Sequence, residues 1–131
     1  MIKTIIELET ETEKSRFINE MKTRTKKLAV DIIKFTGTFP KSKAADVISY
    51  QIIKNATSVE ANYRAASRSR SRKEFFSKMC IVSEEADETQ YWLEIIEQTI
   101  SSIDLEALSA LHKESTEITK IVTKARDNSR S

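Results

Sequence analysis

Two carboxylate clusters are the first residues in this chain whose types and spacing could do chemistry. Glu84, Glu85, Asp87 and Glu88 fall within five residues, and Glu85 and Glu88 stand three apart, so on a helix they share a face. Glu114 and Glu117 repeat the spacing further along. Carboxylates on facing helices of a bundle can hold a pair of metal ions, but the known sites of that kind add a Glu-x-x-His motif from each of two helices. The only histidine here is His112, and Ser109 stands three residues before it. No metal ligand set is therefore expected. The reading preferred for Glu85 and Glu88 is that one of them pairs with Arg64 at the edge of a bundle.

A second cluster is basic. Arg64, Arg68, Arg70, Arg72 and Lys73 follow one another within ten residues with no acid between them. Closely spaced cations are what phosphate neutralisation requires, and the intervening serines can donate hydrogen bonds to phosphate oxygens. The stretch contains no aromatic residue on which a base could stack. Lys22, Arg24, Lys26 and Lys27 form another basic patch. The alternative for both is an ordinary solvated surface.

Nucleophilic catalysis has little to stand on. Cys80 sits between the apolar residues Met79 and Ile81, as a structural thiol does. His112 has no Asp or Ser arrangement that would make a triad. With one glycine in the chain there is no phosphate-binding Gly-rich loop and no dinucleotide fingerprint. Trp92, four residues after Glu88, reads as an apolar anchor with its indole N–H on a carboxylate. No catalytic residue, metal or cofactor is assigned.

The elements that must position these residues are helices. The chain has 131 residues, a single-domain length, with 39% hydrophobic and 32% charged residues. It has one glycine and one proline, Gly37 and Pro40, and long helices exclude both types where turn-rich sheets need them repeatedly. Residues 1–14 read as an acidic arm, with Glu7, Glu9, Glu11 and Glu13 against Lys3, able to lie along the bundle or pair with another subunit.

Helix one is predicted over about 15–36, with Ile18, Met21, Thr25, Leu28, Ile32 and Phe35 as its stripe, ended by Gly37 and Pro40. Helix two is predicted over 42–66, striped by Ile48, Ile52, Asn55, Val59, Asn62 and Ala66; its two asparagines need partners if buried. Ser67 to Arg72 has nothing apolar to pack and reads as a loop. Helix three covers 72–101, with Met79, Val82, Ala86, Thr89, Leu93 and Ile96 in its stripe and the spacing kept through Ile100 and Ile103, and helix four covers 105–126 behind the N-cap Asp104, striped by Leu108, Leu111, Ser115, Ile118, Val122 and Ala125. Residues 127–131 are a polar tail. Four helices on short connections make an all-α, up-and-down antiparallel four-helix bundle over 15–126. Phe17, Ile33, Tyr50, Tyr63, Phe75, Tyr91, Trp92, Ile95 and Ile121 lie beside the main stripes, a second apolar flank that points to self-association.

The net charge of +2 is weak for a dedicated nucleic-acid binder. No stretch is apolar enough to span a membrane, the first residues do not read as a signal peptide, and a single cysteine fits a reducing compartment, so a cytoplasmic protein is expected.

The stretch Thr57-Ser58-Val59-Glu60-Ala61-Asn62-Tyr63-Arg64 resembles the helix-two signature of the bacterial four-helix bundle proteins, also called the 23S rRNA intervening-sequence protein family. Phe76-Ser77-Lys78-Met79, followed by Glu85-Ala86-Asp87-Glu88-Thr89 and Trp92-Leu93-Glu94, is similar to its helix-three signature, and Glu114 to Lys120 to its last helix. The resemblance covers roughly 17–125 and implies a bundle that assembles into a homo-oligomeric, pentameric ring with no established enzymatic activity. The related accessory variability proteins of diversity-generating retroelements work with a reverse transcriptase and nucleic acid. Ser58, Asn62, Arg64, Glu85, Glu88 and Trp92 occupy signature positions. They read as a polar layer between helices two and three, or as a subunit contact.

Together these expectations describe a non-enzymatic oligomeric scaffold whose contacts with RNA or DNA are Arg68, Arg70, Arg72 and Lys73, with Lys22, Arg24, Lys26 and Lys27 as a second patch. The alternative is a protein–protein adaptor, or an accessory subunit of a mobile-element enzyme such as a reverse transcriptase.

Overall fold

In the computed structural model, residues 12–130 are described, and they form four helices: α1 (Glu13–Thr36), α2 (Lys43–Ala66), α3 (Arg72–Thr99) and α4 (Leu105–Asn128). Each helix starts where a short polar side chain closes its first turn. Thr12 accepts from the backbone N–H of Ser15, Ser42 from Ala45, Ser71 from Glu74 and Asp104 from Ala107. Such a cap satisfies one of the N–H groups that a helix start leaves without a partner, and is worth about 1 kcal/mol.

The helices end for equally local reasons. Gly37 caps α1 through its N–H on Ile33, but with φ −65 it stays in the right-handed region, so the glycine's freedom is not what the turn uses. It is Pro40, three residues on, that forbids continuation. α3 stops at Thr99, two residues before the predicted end. Ile100 leaves the helix in an extended conformation and buries its side chain, and Ser102 takes φ 58 to turn the chain back. The apolar spacing runs on through Ile100 and Ile103, which pack on the core from the connector instead of from another helical turn. α1 begins at Glu13 and α4 runs on to Asn128, so the edges of the arm and the tail are helical; the rest of the arm, residues 1–11, and Ser131 lie outside the described residues.

With connectors this short, neighbours in sequence run antiparallel. Each helix packs on the next and α4 closes on α1, so α1/α3 and α2/α4 are the diagonals of the bundle. α2 and α3 make the most extensive pair and α1 and α4 the slightest. The core is the predicted stripe: Met21, Ile32, Ile52, Val59, Met79, Val82, Leu93, Ile96, Ile118 and Val122 are all essentially sealed. Thr25 and Thr89 are sealed with them, because each hydroxyl donates to the carbonyl four residues back (Met21 and Glu85), which leaves no polar hydrogen unmatched.

The second apolar flank divides. Tyr63 is buried in the core, and Phe75, Trp92, Ile95 and Ile121 pack half-buried against it. Phe17, Ile33, Tyr50 and Tyr91 remain exposed. Half of the surface assigned to self-association is therefore used inside one bundle.

Candidate nucleic-acid interface

One end of the bundle gathers the N-terminus of α1, the C-terminus of α2, the N-terminus of α3 and the C-terminus of α4. The serine–arginine stretch turns the chain there in five residues, 67–71. The turn is held by backbone bonds from Ser67 to Tyr63 O, Arg68 to Ala65 O and Ser69 to Ala66 O. Two of its serines are structural: Ser67 Oγ donates to Arg64 O and Ser71 Oγ caps α3. These hydroxyls are thus committed to the turn, contrary to the expectation that they serve phosphates. Ser69 Oγ differs, being sealed from solvent and without a hydrogen-bond partner among the described residues.

The arginines divide in the same way. Arg68, Arg70 and Lys73 are exposed, and among the described residues no carboxylate pairs with them. Arg72 is turned onto the end of α4. Its Nε donates to Ser129 O at 3.2 Å and its terminal nitrogen to Asn128 O at 2.8 Å. A guanidinium on carbonyls that the last helical turn leaves unpaired is a favourable C-terminal cap, so Arg72 ties α3 to α4 and is not a free phosphate ligand.

The patch on α1 is corrected more severely. Arg24 forms a two-pronged contact with Glu114 on α4, Nε to Oε2 at 3.0 Å and the terminal nitrogen to Oε1 at 2.6 Å. The bond to Glu114 holds Arg24 protonated more firmly than usual. Lys27 donates to Asp31 one turn on, at 2.6 Å, and this bond raises its pKa. Only Lys26, exposed, and Lys22, half-buried, remain of the four.

The expected polar layer is also rearranged. Arg64 is exposed and makes no ion pair with Glu85 or Glu88. The residue that receives both carboxylates is Asn55, 3% exposed, whose Nδ2 donates to Glu85 Oε2 at 2.7 Å and Glu88 Oε2 at 2.5 Å. Asn55 Oδ1 is buried without a partner. Asn62, one of the two asparagines flagged as needing partners, satisfies itself within α2 on Ser58, through both Oγ and the carbonyl at 2.9 Å. Trp92 meets the Tyr91 ring edge-on at 5.0 Å, not the Glu88 carboxylate. The physical reason is reach: Asn55 sits two turns before Asn62 on the same stripe and faces the acidic turn of α3, while Arg64 lies on the solvent side. Cys80 is half-buried, and among the described residues no three His, Cys, Asp or Glu side chains gather to hold a metal ion.

The bundle end also contains residues that sequence reasoning did not assemble. A groove of about 670 Å³ opens beside the serine–arginine turn, walled by Phe17, Ile18, Tyr63 and Phe75, with Lys14 and Arg70 also lining it. Burial raises the Tyr63 phenol to about 12. Arg130 stacks over the Phe76 ring at 5.6 Å close by.

A model of the 23S rRNA-intervening sequence protein family matches residues 18–124, nearly all of the four helices. The chain belongs to this family. It is also similar to a crystal structure of a protein of unknown function from the S23 ribosomal protein family from Bacteroides thetaiotaomicron. That protein is 33% identical, with 84% of this chain and 97% of that one covered and a TM-score of 0.74. No curated protein matches. Both signature stretches fall inside the matched residues, on the tightly packed pair α2 and α3. Membership in the 23S rRNA-intervening sequence protein family thus accounts for the bundle and leaves its function open. Among the described residues no helix is long and apolar enough to cross a membrane.

Proposed function

We propose that this member of the family is a non-catalytic cytoplasmic scaffold that binds RNA or DNA through the serine–arginine end of its bundle and presents that end repeatedly in a homo-oligomeric ring. The observation that carries the reading is the trio Arg68, Arg70 and Lys73, exposed on one tight turn and the helix start that follows it, with no carboxylate among the described residues paired with them. Cations held on a short turn meet a phosphate chain at low entropic cost, and each phosphate contact releases condensed counterions. Repetition around a ring turns a modest local charge into a strong field.

Fluorescence anisotropy with a structured RNA, a duplex DNA and a single strand, each at low and near-physiological salt, tests this. The wild type is expected to bind with an affinity that falls steeply with salt. Replacing Arg68, Arg70 and Lys73 with Ala together is expected to remove about 2 to 3 units of the slope of log affinity against log salt. An unchanged affinity and slope would show that the turn is not the contact surface. A second reading, a protein–protein adaptor, is favoured by the exposed Ile33, Tyr50 and Tyr91. Light scattering on the Tyr50→Lys and Tyr91→Lys variants distinguishes a self-association face from a surface open to another protein.

A further inference from the structure

We propose that the groove at the serine–arginine end takes one unpaired nucleotide, its base against the aromatic wall and its phosphate on the basic rim. This rests on the nucleic-acid reading above and names what that end recognises. Three features of the groove fit such an occupant. Its volume of about 670 Å³ is of the size that holds a small ligand. Its wall carries the exposed Phe17 of α1 and the half-buried Phe75 of α3, set over the buried Tyr63 of α2. Two cations, Lys14 and Arg70, line it and are exposed.

A flat apolar face with polar edges and an attached anion answers all of these together. An apolar chain would leave the cations unmatched, and a bare phosphate would leave the rings unmatched. Arg72 braces the groove. By tying the start of α3 to the end of α4 it holds Phe75 and Ser129 in one wall, so its charge is spent on the frame.

A base reaches this wall only when it is out of a duplex. The groove therefore discriminates single strands, loops and ends from paired helices, while Arg68 and Lys73 outside it attract any phosphate chain. The aromatic residues missing from the serine–arginine stretch itself are supplied by three other segments.

The test uses the full chain with a fluorescein-labelled oligoadenosine single strand, a blunt duplex and AMP as separate probes. Phe17 is 43% exposed, so Phe17→Ala leaves the bundle folded, which thermal melting checks. Phe17→Ala is expected to weaken the single strand by roughly five- to a hundredfold, the cost of one lost base–aromatic stack, and to leave the duplex affinity and its salt slope unchanged. AMP competing with the strand at millimolar concentration supports the groove as a nucleotide site. AMP that fails to compete, while Phe17→Ala still weakens the strand selectively, assigns the same groove to a nucleotide within a strand.

A Phe17→Ala variant whose single-strand and duplex affinities both equal those of the wild type, with the basic-turn variant still defective, would overturn the groove and leave the phosphate-binding turn standing. No binding by the wild type to any probe would overturn both. A Phe17→Ala variant that changes only the subunit count by light scattering would show that the groove is a contact between copies, and would equally overturn the proposal.

Discussion

Replacing Asn55 with Asp is the sharpest test of how α2 and α3 are joined. Asn55 is 3% exposed and gives its amide nitrogen to both Glu85 and Glu88. Asn55→Asp keeps the shape and exchanges the donor for a third carboxyl group facing two carboxylates. Burial and like charge both disfavour its ionised form, and for a fully buried group they raise the pKa by ~3 units or more. In the unfolded chain the same Asp titrates near its ordinary ~3.9.

A folded pKa raised above the unfolded one means that the variant's stability is retained below about pH 4 and falls as the pH rises. The fall is about 1.4 kcal/mol per pH unit. By pH 7 the variant has lost about 4 kcal/mol relative to acid conditions, a large part of the ~5–15 kcal/mol of a typical domain. Asn55→Leu is the control. It gives up both bonds to carboxylates, but Glu88 is exposed and Glu85 half-buried, so water takes over, and the orphaned Oδ1 disappears with them. It is expected to lie within about 2 kcal/mol of wild type, with no pH-dependent difference of its own. Urea unfolding of the three proteins at half-unit steps from pH 4 to pH 7.5 reads all of this. A difference between Asn55→Asp and wild type that stays below about 1 kcal/mol and flat with pH would refute the placement of Asn55 against the acidic turn of α3.

Three further outcomes follow from the structure. Tyr63 ionises near pH 10.0 when unfolded and is pushed to about 12 by burial, so the stability it contributes is complete below pH 10 and is lost between there and pH 12. Alkaline unfolding of Tyr63→Phe should retain about 2 to 3 kcal/mol that the wild type loses across that window, and identical curves would place the phenol in water. A double-mutant cycle of Arg24→Ala and Glu114→Ala, read by chemical denaturation, should give a coupling of about 1 kcal/mol, the upper end for a partly exposed pair, because the contact is two-pronged and joins the slightest helix pair. Arg24→Ala alone should leave nucleic-acid affinity unaltered in the anisotropy assay, and a loss comparable to that of the basic-turn variant would return Arg24 to the contact surface.

The sequence by itself determined the secondary structure and the inside face of each helix. Apolar residues at spacings of three and four encode a stripe without reference to any neighbour, and the caps Ser42, Ser71 and Asp104 and the stop at Pro40 act within a few residues of themselves. The family, too, was legible, because its signatures are contiguous stretches within α2 and α3. Lys27 and Asn62 find their partners, Asp31 and Ser58, one turn away on their own helices, but the other deciding contacts were made across the bundle. Ile100 and Ile103 keep the spacing of α3 yet bury themselves from a connector, since periodicity records burial and not the route to it. Arg72 looks identical to Arg68 and Arg70 in sequence, but only Arg72 begins a helix whose start lies beside the end of α4. Arg24 appears as one cation in a basic run until α4 brings Glu114 to it from ninety residues away. The groove likewise draws its rings from three helices and its rim from a turn. One-dimensional spacing reports which side chains share a face, whereas a side chain's electrostatic partner is set by distance through space, and that distance exists only once the helices have packed.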